Sequence, residues 1–273
     1  MQFFTQRRLK HTLLLIAAVV ACVAWVRWLD ASMARTSHAT GYAMYALIVL
    51  LAAYHLRKKL TGSKWGSSSA WLQLHLYAAL LSPVLLVLHT GMRWPTGSLE
   101  TTLAALFAAT FASGSFGLWL TRTVPKQLAR VSNQEVFERI PIEQRRVGVE
   151  ARAVVLAAVH EGGSTTLADF YADRLHGFFQ RPRSLTYWVR PTSATRLRLF
   201  GELTATLRLL SDAEREASER LFRLVQRKDD LDFHRARQGV LKLWLFVHVS
   251  LTWALLMLGA LHGLIALSFQ GGA

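Results

Sequence analysis

The sequence predicts an all-α, polytopic membrane protein with five transmembrane helices and a helical, water-facing insert ahead of the last one. Three observations predict it. The 273 residues are 52% hydrophobic and only 18% charged, with a mean hydropathy of +0.25. Five apolar runs are long enough to cross a hydrocarbon core of about 30 Å, which takes roughly 17–25 helical residues. No alternating polar and apolar stretch of useful length is present to make a strand.

The runs fall at residues 12–28, 40–56, 70–90, 100–121 and 240–268. The first follows Arg7, Arg8 and Lys10. With Val19-Val20-Ala21-Cys22 it also has the outline of a lipoprotein signal peptide, against which an uncleaved first helix is the expectation here. The third run carries Pro83 near its middle, where a bend is expected. The fourth contains Ala112-Ser113-Gly114-Ser115 and Gly117, small residues that admit either a flat bulky group or a close-packed helix. The fifth has 29 residues, about 43 Å of helix, so it must tilt or project beyond the membrane. Residues 122–238 hold 21 of the 32 Lys and Arg and 15 of the 17 Asp and Glu, and so belong in water. The chain therefore divides into four transmembrane helices (1–121), the insert (122–238) and a fifth transmembrane helix (239–273). Within the insert, helical spacing appears near 143–160, 166–179, 194–210 and 212–237, interrupted by Gly162-Gly163, Pro182 and Pro191. Ser211 and Glu214 have the spacing of a capping box, each side chain satisfying the other's backbone N–H.

Positive charge in short loops stays on the cytoplasmic side. Arg7, Arg8 and Lys10 precede the first run, and Arg57, Lys58, Lys59 and Lys64 follow the second; the opposite side has only Arg27, Arg35 and Arg93. The expected topology, in a bacterial cytoplasmic (inner) membrane, has the N-terminus and insert inside and the C-terminus in the periplasm. Trp25, Trp28, Trp65, Trp71, Trp94, Trp119 and Trp244 fall at the ends of the runs, as an interfacial aromatic belt requires. Of the 32 basic residues behind the net charge of +15, 28 lie on the inner side. That distribution accounts for the charge without nucleic acid and leaves anionic lipid or an acidic protein as partners for the insert.

Away from their ends the runs contain no Asp, Glu, Lys or Arg, and their ionisable groups of interest are histidines. The third has His75 and His89 and the fifth has His248 and His262, both spaced His-x13-His. Fourteen residues advance a helix by about 21 Å and turn it by nearly four whole turns, so each pair lies on one face, one imidazole per leaflet. Both runs travel from inside to outside. His75 is then level with His248, and His89 with His262. Two facing imidazole pairs are what two six-coordinate haems need, since porphyrin fills four positions on iron and axial nitrogens the other two. Isolated intramembrane histidines serve instead as hydrogen-bonding glue between helices. The shared spacing, depth and direction favour haem, with His75 and His248 on the inner iron and His89 and His262 on the outer.

Other positions carry less. Arg93, one turn beyond His89, and Lys242, before His248, are candidates to pair with haem propionates; surface exposure and positive-inside charge explain them equally well. His234 repeats the fourteen-residue interval before His248 but sits among charges, so it is read as a surface or insert histidine. His38 and His55 are interfacial positions, with the lining of a quinone pocket as the alternative for either. The single cysteine, Cys22, excludes an intrachain disulfide, and no Cys-x-x-Cys-His run is present, so haem here would be non-covalent haem b.

At the level of His75-x13-His89 and His248-x13-His262 the sequence resembles the di-haem membrane cytochromes b, and its use of the third and fifth runs resembles the ferric-reductase transmembrane domain. The resemblance covers roughly half the chain. It implies a di-haem helical bundle and electron transfer between membrane faces. The insert of 117 residues between the ligand helices departs from both families, and no flavin or nicotinamide domain follows the last run. The resulting expectation is an electron-transfer subunit linking the quinone pool to a redox partner: a c-type cytochrome, a flavoprotein or an iron–sulfur protein. The alternatives are a transmembrane reductase acting directly on a metal ion or oxygen, and a haem-free membrane scaffold.

Overall fold

The computed structural model describes residues 2–33, 35–59, 67–131, 135–162 and 165–269; the side chains of 2–8, 55–59 and 209 lie outside the described set. Every described element is helical. Five helices are long and apolar enough to cross a membrane: α1 (Gln2–Ala31), α2 (Thr36–Lys59), α3 (Ser68–Thr90), α4 (Ser98–Leu128) and the apolar part of the final helix, Asp212–Ser268. The insert adds α5 (Ile140–Gly162), α6 (Thr166–Phe170), a π-helical turn at Tyr171–Leu175, α7 (His176–Gln180), α8 (Leu185–Val189) and α9 (Ala194–Thr206). A 3₁₀ turn at Leu207–Leu209 precedes α10, which is the Asp212–Ser268 helix. Arg7, Arg8, Arg57, Lys58, Lys59, Lys64 and Trp65, which the topology reading used, have side chains outside the described residues.

The chain separates into two compact units, residues 1–115 with 247–273 and residues 116–246. In the first, Ile48, Phe107, Leu255 and Leu256 form a buried cluster joined by Met44, Tyr45 and Leu86. Around it large apolar side chains are exposed: Leu13 57%, Val20 61%, Leu80 52% and Leu264 65%. So continuous an apolar exterior belongs in lipid. Helix α3 runs unbroken through Pro83. Proline lacks the N–H that would reach the Ala79 carbonyl, and the buried Ser82 hydroxyl donates to that carbonyl instead, at 2.8 Å.

The second unit has its own core of Val147, Leu167, Leu175, Leu203, Leu221, Val225 and Leu231, supplied by α5, α6, the π turn, α9 and α10. The capping box forms: Ser211 N donates to Glu214 Oε2 at 3.0 Å, and Glu214 N to Ser211 Oγ at 3.4 Å. The carboxylate does more than the pattern requires. Its other oxygen, Oε1, accepts from Leu167 N at 3.0 Å, so one buried side chain also serves the first turn of α6.

Two expectations change. The insert helix at 212–237 and the fifth run at 240–268 are one helix of 57 residues, about 86 Å long. Gly239 does not end it; a Cβ there would run into the Trp188 indole, so the glycine makes room for a ring rather than for a turn. The fourth helix continues seven residues past the expected end at 121, through Pro125.

Candidate functional site

The first unit brings the four intramembrane histidines together in pairs. His89 and His262 face each other with ring centroids 6.4 Å apart and planes at 87°. His75 and His248 are close enough to interact electrostatically. The first histidine of α3 meets the first in this part of α10 and the second meets the second, so the two segments run in the same direction. Leu255 lies midway between His248 and His262 in sequence, which places the buried apolar cluster between the levels of the two pairs.

The spacing of the His89–His262 pair is informative. A metal–imidazole bond is about 2 Å and a ring nitrogen lies about 1 Å from its centroid, so two imidazoles on opposite sides of one metal ion stand about 6 Å apart. The 6.4 Å of His89 and His262 matches that spacing. No three of His, Cys, Asp and Glu converge as a metal site among the described residues. Two imidazoles at this spacing could supply two ligands to a metal whose remaining positions are filled by another group.

Helix α2 orients the third-helix imidazoles. His75 Nδ1 lies 3.2 Å from the Leu51 carbonyl oxygen, and His89 Nδ1 lies 3.0 Å from that of Ser37. A carbonyl only accepts, so each Nδ1 carries the proton and each Nε2 keeps its lone pair. This carbonyl contact is the usual outer-shell support of a metal-bound histidine. Thr40 Oγ1, fully buried, is a further 3.3 Å neighbour of His89 Nδ1.

Glycines make room beside the rings. A Cβ on Gly41 would stand 3.0 Å from His89 Cε1, and one on Gly114 would stand 3.4 Å from His248 Cε1. Gly114 thus lies beside an imidazole, whereas Gly117 receives the Trp244 indole and serves packing. Tyr54 lies 5.0 Å from the His75 ring.

Comparison with protein-family models, curated proteins and solved structures finds no match to this chain.

The remaining positions divide. Arg93 is exposed in the turn after α3 and makes no ion pair among the described residues. Lys242 belongs to the second unit, where its ammonium lies 2.5 Å from Glu138 and 4.0 Å from the Phe137 ring centre, and this pairing holds the exposed Glu138 below the usual carboxylate pKa. His234 is an insert residue but not a surface one. It is 2% exposed, buried in the second unit, with no hydrogen bond to either ring nitrogen among the described residues. Its charged neighbours Asp229, Asp232 and Arg235 are themselves drawn inward and pair with Arg183, Lys228 and Gln144, which is why local composition misplaces it. Half-buried His38 is a neighbour the spacing did not reveal, near enough to interact electrostatically with His89; the side chain of His55 lies outside the described residues. Gly41 and the Leu51 and Ser37 carbonyls were likewise missed. A carbonyl has no sequence signature, and Gly41 has one only once the ring it faces is known.

Proposed function

We propose that this chain is a membrane-embedded di-haem b-type cytochrome subunit that relays electrons across a bacterial inner membrane, between the quinone pool and a redox partner protein. The observation that carries the reading is the pair His89 and His262, ring centroids 6.4 Å apart and planes nearly perpendicular, with the His89 tautomer set by the Ser37 carbonyl. His75 and His248 would hold the inner haem and His89 and His262 the outer one. When bound, haem supplies a reversible one-electron couple.

The chain's own residues do the rest. The carbonyls of Leu51 and Ser37 place the proton of each α3 imidazole on Nδ1, which leaves Nε2 as the nitrogen that would serve as a ligand. Gly41 and Gly114 keep the helix surfaces beside His89 and His248 free of side chains. Ile48, Phe107, Leu255 and Leu256 keep water and counter-ions out of the level between the pairs, where a low dielectric favours electron movement over ion movement. Positive-inside charge supports an inner N-terminus and insert and an outer C-terminus.

The test is a reduced-minus-oxidised optical spectrum of the purified protein with haem counted per chain. Two b-type haems are expected, reducible by a quinol analogue, with one lost in His248→Ala and the other in His262→Ala. No haem bands, or two haems retained in both variants, would refute the assignment.

A further inference from the structure

The second unit holds a cleft of about 610 Å³ with an unusual wall: Arg174, Arg181, Arg183, Arg190 and Arg198 all line it, and no acidic residue does. Clefts of this size accommodate small ligands. Three of the arginines already have partners. Arg183 is fixed by Asp229 at 2.9 Å and Asp232 at 2.8 Å, and its guanidinium stacks 4.7 Å from the Phe178 ring centre. Arg174 and Arg198 share Glu202, both at 3.8 Å, too far for a good hydrogen bond. Arg181 and Arg190 are exposed and pair with no carboxylate among the described residues.

Hydroxyl donors complete the lining. Ser184, Thr186, Thr192, Thr195 and Tyr187 all border the cleft. Burial, with Asp229 nearby, pushes the Tyr187 phenol well above its ordinary pKa, so it remains a proton donor at any physiological pH. Unpaired guanidinium groups with hydroxyl donors around them suit an oxyanion with several acceptor oxygens, and the guanidinium fork matches phosphate in particular. Like charges are not gathered about a cleft at no cost; an anion bound there would relieve the repulsion. Leu185 and Val189, on the short helix α8 that borders the cleft, are 84% and 72% exposed. Such apolar groups beside arginines are also the composition of a surface that meets lipid headgroups.

We infer that this arginine-lined cleft binds a phosphate-ester or diphosphate group, presented either by an anionic lipid headgroup or by a soluble phosphate compound. The inference is independent of the haem reading.

The experiment uses the full chain in detergent micelles, titrated by calorimetry with pyrophosphate in one arm and with short-chain phosphatidate in the other. Saturable binding at one site per chain is expected in at least one arm. The Arg181→Gln/Arg190→Gln double variant should weaken it about tenfold or more, as loss of charge-assisted hydrogen bonds implies. Arg220→Gln, which removes an exposed arginine paired with Glu216 outside the cleft, should leave it unchanged. Pyrophosphate binding would identify a soluble ligand, and binding of phosphatidate alone a lipid headgroup. Absence of saturable binding in both arms, undiminished affinity in the double variant, or equal weakening by Arg220→Gln would overturn the inference.

Discussion

Gly41→Ala asks whether the position of the His89 ring matters. The added methyl would lie 3.0 Å from Cε1, 3.4 Å from Nδ1 and 3.9 Å from Nε2. Carbon atoms settle at about 3.5–4.0 Å, so the ring must retreat by about half an ångström. Retreat strains the 3.0 Å contact to the Ser37 carbonyl and shifts Nε2 relative to His262. Disturbing the support of a metal-bound histidine typically lowers metal affinity by about 10–100-fold. With haem held as proposed, the variant should therefore lose occupancy at the His89–His262 site, read as haem per chain and as a changed reduced-minus-oxidised spectrum. In a helix interior, glycine to alanine by itself stabilises by about 1 kcal/mol, so a loss cannot come from helix propensity. Gly263→Ala is the internal control: a Cβ there meets nothing within 4 Å and should cost little. Wild-type haem content and spectrum in Gly41→Ala, or an equal loss in Gly263→Ala, would refute the reasoning.

Three further outcomes concern the insert. Asp232, 4% exposed, receives Gln144 at 2.6 Å, Lys228 at 2.5 Å and Arg183 at 2.8 Å. Asp232→Leu leaves the Lys228 ammonium buried without its carboxylate and should destabilise the unit by about 3–5 kcal/mol, partly recovered by adding Lys228→Met; hydrogen exchange of α5 reads both, and wild-type protection in the single variant would count against it. Gly239→Ala forces a Cβ into Trp188 and should cost about 1–3 kcal/mol, recovered by Trp188→Leu; the same exchange assay would show a failed rescue. Burial holds the pKa of His234 below its ordinary value, so the folded unit binds fewer protons than the unfolded chain between that lowered pKa and about 6.5. Its stability must then fall as pH drops through that window, by at most about 1.4 kcal/mol per pH unit, and His234→Phe should remove this part of the slope. Equal pH dependence of exchange in wild type and variant would contradict it.

What the sequence discloses is what lies along a single helix. His75 and His89, or His248 and His262, announce a common face through their interval alone, and the direction of the helices then pairs them. Ser211 and Glu214 are legible for the same reason. The rest depends on partners distant in sequence. The change from charged to apolar composition near residue 239 reads as a boundary between two helices, yet α10 runs through it with Gly239 packed against Trp188. His234 reads as a surface group because charges surround it in sequence, yet it faces inward. The five-residue helix α8 lies between two prolines, where composition signals only a loop. The outer support of His75 and His89 comes from main-chain oxygen atoms of α2, which any residue type provides.

The double duty of Glu214 sets where the insert tolerates changes of length. One carboxylate caps its own helix start and also holds the amide of Leu167, 47 positions earlier. The intervening stretch is thus a closed circuit fastened at a single clasp. A residue added beside Leu167 or Ser211 would rotate one partner away from the clasp and leave a buried amide without its acceptor. The same addition between α7 and α9 would leave both fastenings intact. Length variation among variants of this insert should therefore avoid the positions beside Leu167 and Ser211.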